Sequence, residues 1–102
     1  MERIALEFDA AMPAQGRSLA GVVGSGDLEV LMEPNTGART VVNITTSVDG
    51  FRNVWEAVLT RMLGQGDLPA VRIEINDFGA TPGVVRMRIA QAFEALAATP
   101  GV

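Results

Sequence analysis

The side chain best placed for chemistry is a hydroxyl. Ser25 lies in Val22-Val23-Gly24-Ser25-Gly26-Asp27-Leu28-Glu29-Val30, between two glycines and with apolar runs on either side. Flanking glycines present no side chains, so a large enzyme can approach that hydroxyl closely. A serine hydroxyl is a weak nucleophile until a base activates it. The chain offers little for that purpose: it has no histidine, no cysteine and no tyrosine, and each of its 8 basic side chains is arginine. The usual general base near neutral pH and the commonest metal ligand are therefore both missing. This composition argues against a catalytic serine and suits a serine that another enzyme modifies. A plain glycine-serine turn is the competing reading.

The remaining candidates are weaker. Asp27, Glu29, Glu33, Asp49, Glu74 and Asp77 supply carboxylates, but no spacing brings two together as an acid-base pair. Glu29 and Glu74 alternate with apolar positions and are expected to face solvent. Asn76-Asp77-Phe78-Gly79 resembles a kinase magnesium motif, yet the chain has 102 residues and no lysine. A tight strand-to-helix connection explains it better. Gly21 to Gly26 suggests a phosphate loop, but lacks both the dinucleotide glycine order and the Walker lysine. The expected following element is a strand, so no helix N-terminus would hold a phosphate. Trp55 and the 5 methionines read as core and gap-filling residues.

The elements that must position Ser25 follow from periodicity. Ile4, Leu6 and Phe8 alternate with Arg3, Ala5, Glu7 and Asp9, which predicts a half-buried strand. Pro13 and Gly16 mark a loop after it. The runs around Gly24-Ser25-Gly26 predict a hairpin turning at those three residues, with Leu28, Val30 and Met32 on one face of its second strand. Pro34, Asn35 and Gly37 predict a second turn, and the β-branched run Thr40 to Val48 a further strand. Val54, Trp55, Val58, Leu59, Met62 and Leu63 then form a helical stripe. Asp49 is its expected N-cap and Gly64 its expected stop. Val71, Ile73 and Ile75 predict a strand. Thr81 as N-cap with Pro82 at the first helical position opens a last helix with Val85, Ile89, Phe93 and Leu96 inward, ended by Pro100-Gly101. The expected fold is α+β: a mostly antiparallel four- to five-stranded sheet with two helices on one face, in the order β-β-β-β-α-β-α.

The totals agree with one domain spanning 1–102. Hydrophobic residues make up 48% and charged residues 20%, a balance that folds rather than stays disordered. A net charge of −4 with scattered arginines argues against nucleic acid. No apolar run is long enough to span a membrane, and the N-terminus has no signal-peptide core, so a cytoplasmic protein is expected.

Two segments carry a resemblance. Val22 to Pro34, VVGSGDLEVLMEP, and Ile75 to Ile89, INDFGATPGVVRMRI, closely resemble the acyl carrier protein (delta) subunit of malonate decarboxylase, and the similarity runs over nearly the whole chain. The resemblance implies that Ser25, flanked by Gly24, Gly26 and Asp27, carries a covalently attached 2'-(5''-phosphoribosyl)-3'-dephospho-CoA through a phosphodiester. It implies a prosthetic-group nucleotidyltransferase that attaches the group from a triphosphoribosyl precursor. It also implies a transferase subunit that exchanges acetyl for malonyl on the terminal thiol, and decarboxylase subunits that release carbon dioxide. The carrier itself would have no catalytic residue and bind no metal. Phosphopantetheine carriers are helical bundles with Asp-Ser-Leu at a helix start; Gly-Ser-Gly-Asp-Leu in a strand-rich half departs from that pattern, so the usual phosphopantetheinyl transferase should not act on it. The carrier subunit of citrate lyase, with the same kind of group, is the nearest relative in logic. The alternative is a small oligomeric α+β binding or regulatory domain without covalent modification; an autonomous carboxylate enzyme is a third reading.

Overall fold

The computed structural model describes residues 1–11 and 21–98. Five strands, β1 (Glu2–Asp9), β2 (Gly21–Ser25), β3 (Leu28–Pro34), β4 (Arg39–Thr46) and β5 (Val71–Asp77), and two helices, α1 (Arg52–Leu63) and α2 (Pro82–Ala98), occur in the expected order. The strands form one sheet in the order β1-β4-β5-β3-β2. Three pairings are antiparallel and β4 with β5 is parallel, joined through α1. The helices pack against each other, α1 on β1 and α2 on β2 and β3.

Period-two alternation decides which face the helices cover. Ile4, Leu28, Val30, Met32, Val42, Ile44, Val71, Ile73 and Ile75 are buried, and meet Trp55, Leu59, Val85 and Ile89 from the helices. Full burial of one such aliphatic side chain contributes about 1.5–3 kcal/mol, so this shared core is what holds the helices to the sheet. The opposite face is polar. Asn43 donates to Glu74 at 3.3 Å, Asn76 donates to Glu29 at 3.1 Å, and Arg72 pairs with Glu33 at 3.8 Å. Arg39 bonds Glu7 at 3.0 Å and also Asp9. These bonds, that to Glu7 foremost, hold its guanidinium above its ordinary pKa. Glu29 and Glu74 are exposed as their alternation predicts.

Several local expectations need correction. The β2–β3 turn is Gly26–Asp27, because Ser25 pairs with Leu28 and Gly24 with Glu29; Gly24 and Ser25 belong to the strand rather than to the turn. Asp49 does not cap α1. The chain first turns through Gly50, at φ 89°, so the cap falls on Phe51 without a side-chain bond, while Asp49 pairs with the N-terminal amine at 3.3 Å. Gly64 does end α1, but in right-handed backbone at φ −74°. Val54, expected in the buried stripe, is 40% exposed. By contrast α2 starts as expected: the Val84 amide donates to Thr81 Oγ1 at 3.3 Å, and Val85 N–H makes the first helical bond to the Thr81 carbonyl at 3.0 Å. Pro13, Gly16, Ser18 and Pro100-Gly101 lie outside the described residues. No described helix is long and apolar enough to cross a membrane.

Candidate functional site

The pairing registers bring one row of residues to one end of the sheet. Ser25 pairs with Leu28, Leu28 with Asp77, Asp77 with Thr46, and Thr46 with Glu2. Ser25 thus ends β2, an edge strand, at the end where β4 and β5 also finish. With strands about 4.8 Å apart, Ser25 and Asp77 are separated by two spacings, about 10 Å along the row.

Neither residue of the turn beside Ser25 has positive φ. The hairpin is therefore not closed by a type I′ or II′ turn, which demand glycine-like backbone. A Cβ built on Gly26 would meet nothing within 4 Å. Neither backbone conformation nor internal packing requires glycine there. Its bareness faces outward, where Gly26 is exposed.

The turn is tied to the segment after β5. Phe78 N–H donates to the Asp27 carbonyl at 2.9 Å. Asp77 is 4% exposed and organises this connection. Its Oδ2 accepts the Thr46 hydroxyl at 2.7 Å, and its Oδ1 accepts the Ala80 amide at 2.9 Å. Gly79 follows at φ 111°, a conformation that L side chains rarely adopt. Asp-Phe-Gly is thus a strand-to-helix connection, as its local reading predicts, and it also abuts the serine hairpin. The two segments that carried the resemblance are neighbours in space. Ser47 is exposed at the same end, its amide donating to the Asp77 carbonyl at 3.0 Å.

Beyond Asp77, a cavity of about 330 Å³ opens between the helices. Val48 and Phe51 precede α1 on one side, and α1 contributes Val54, Trp55 and Val58. Ala80, Pro82 and Val85 line the other side, with Thr46 and Asp77 from the sheet. Sequence reasoning missed this cavity and took Trp55 only as core. One signal was available: position 77 continues the inward set Val71, Ile73 and Ile75, so period two already placed a carboxyl group among the buried side chains.

Comparison with known proteins adds the family. The profile of the family described as malonate decarboxylase delta subunit (MdcD), an acyl carrier protein, matches residues 15–96. This chain belongs to that family. Curated relatives agree: the malonate decarboxylase acyl carrier protein of Pseudomonas fluorescens (strain Pf0-1) is 51% identical over 94 residues, covering 92% of this chain and 95% of that one. That of Pseudomonas putida (strain W619) is 50% identical over 97 residues, covering 95% and 98%. Among solved structures, a chain from the crystal structure of a Pseudomonas malonate decarboxylase hetero-tetramer in complex with malonate superposes with a TM-score of 0.83. It is 42% identical, over 94% of this chain and 99% of that one. The family inferred from Val22–Pro34 and Ile75–Ile89 is the one these comparisons return.

Proposed function

We propose that this chain is the acyl carrier subunit of a biotin-independent malonate decarboxylase, with 2'-(5''-phosphoribosyl)-3'-dephospho-CoA joined to Ser25 through a phosphodiester. The observation that carries the assignment is the hairpin end: Ser25 closes β2 beside a glycine that neither φ nor packing requires. Space at that turn is what a transferring enzyme needs. The proteins it resembles are named acyl carrier proteins, and the similar solved chain comes from a hetero-tetramer.

The surroundings of the turn leave room for a bulky attached group. Open space surrounds the Gly26 Cβ position, and the apolar cavity begins at the row that Ser25 shares with Asp77. When bound, the group would supply a thiol able to hold an acyl unit as a thioester. The chain's own residues fix the attachment point. Pairing of Ser25 with Leu28 sets its height on the sheet, and the Phe78–Asp27 bond anchors the turn to β5. In this reading acyl exchange and decarboxylation are the work of transferase and decarboxylase subunits in the cytoplasm, and the chain itself holds no histidine or cysteine. Tethering keeps the acyl unit at high effective concentration at each of their sites.

Ser25→Ala tests the assignment. Co-expressed with the nucleotidyltransferase and its precursor-forming enzyme, the variant should fold with an unchanged circular dichroism spectrum and gain no mass. Ser47→Ala should load as wild type does. Loading of Ser25→Ala would move the attachment to another residue.

A further inference from the structure

Resting on that reading, we infer that the cavity between α1 and α2 is a resting dock for the arm's thioester end when it carries a small neutral acyl group, and that it excludes the malonyl form. Three features of the site argue for this occupant. The first is position. Asp77 lines the cavity and lies about 10 Å, two strand spacings, from Ser25 along one row. An arm fixed to Ser25 reaches that far readily. The second is size and character. About 330 Å³ is within the range of small-ligand sites. Its walls are mostly apolar, with Trp55, Val58 and Val85 buried and Phe51 and Val54 half-exposed. Phe51 is 48% exposed and Val54 40%, so covering them with an apolar occupant removes surface that otherwise contacts water.

The third feature is charge. Among the described residues no arginine lines the cavity, and the one ionisable residue that does is the acidic Asp77. Both Asp77 oxygens already accept hydrogen bonds, from Thr46 and Ala80. A malonyl carboxylate entering would lose its hydration with no cation to pair it, which is strongly unfavourable. An acetyl group carries no such charge. The same walls that shelter a neutral thioester from water therefore release the malonylated arm to the decarboxylating subunits. The cavity makes the exit of the arm depend on what it carries.

Trp55 is the only tryptophan, so its indole N–H gives one resonance that reports on the cavity. Proton–nitrogen correlation spectra of the unloaded, acetyl-loaded and malonyl-loaded chain should show the Trp55 indole peak displaced in the acetyl form alone. The Val58 and Val85 amides should follow it. Val54→Phe, which narrows the rim at a partly exposed helical position, should return the acetyl-form peak toward its unloaded place. An indole peak that is the same in unloaded and acetyl-loaded protein overturns the dock, and equal displacement by the malonyl form overturns the charge selection. A separate titration with S-acetyl-N-acetylcysteamine keeps the two readings apart. If Ser25 gains no mass yet this free thioester displaces the Trp55 peak, the cavity assignment stands and the attachment assignment falls. If loading at Ser25 is confirmed and neither tethered nor free thioester moves Trp55, the cavity assignment alone falls.

Discussion

Gly26 separates two reasons for a glycine. Where φ is positive, as at Gly37, Gly50, Gly66 and Gly79, the backbone itself asks for glycine. At Gly26 it does not, and a Cβ has room. Gly26→Ala should therefore leave stability unchanged or raise it by about 0.4–1 kcal/mol, by restricting the unfolded chain. Urea denaturation checks this. The same variant should gain the prosthetic group more slowly than wild type, followed by intact mass over time. Loading at the wild-type rate would mean that the glycine is not there for the transferring enzyme. Asp77 shows the opposite case, a polar side chain required by the fold. Removing its carboxyl leaves the partly buried Ala80 amide without its acceptor and the Thr46 hydroxyl with only the Val48 carbonyl, at 3.4 Å. Asp77→Ala should lose about 1–3 kcal/mol in urea denaturation, the cost of unsatisfied buried polar groups. A smaller loss would show that water or the Val48 carbonyl takes the place of the carboxyl.

At the scale of elements, legibility tracks how local the deciding interactions are. The start of α2 was readable because Thr81 and Pro82 act within one turn, and the Thr81 hydroxyl does accept the Val84 amide. Thr81→Ala should destabilise the protein by about 1 kcal/mol, read from the midpoint of denaturation; no change would mean that the cap is immaterial. The start of α1 misled because Asp49 has a cap-forming side chain but meets the N-terminal amine instead, a partner brought in by β1. The serine hairpin is legible as a hairpin, yet its turn lies later than composition predicts, at Gly26–Asp27. Gly24-Ser25-Gly26 has the composition of a turn, but cross-strand register puts Gly24 and Ser25 into pairing with Glu29 and Leu28. Val54 departs from its expected burial for a related reason: it has the helical spacing of a core residue but lines the rim of the cavity.

Strand order belongs to the whole molecule, and no local pattern carried it. Placing β5 between β4 and β3 depends on the crossover through α1 and on contacts between residues more than 25 positions apart in the chain, such as Ile44 with Ile75. That arrangement gathers Ser25, the Asp-Phe-Gly connection and the cavity at one end and leaves a polar face laced by cross-strand pairs such as Asn43–Glu74. Ser25, the Asp-Phe-Gly connection and the cavity are thus brought together by one sheet. The most direct test of the central claim is the intact mass of the protein purified from its native source during growth on malonate, with peptide mapping. The expected result is added mass matching phosphoribosyl-dephospho-CoA, located on Ser25. An unmodified chain from such cells would contradict it and favour a binding domain that works without a covalent group.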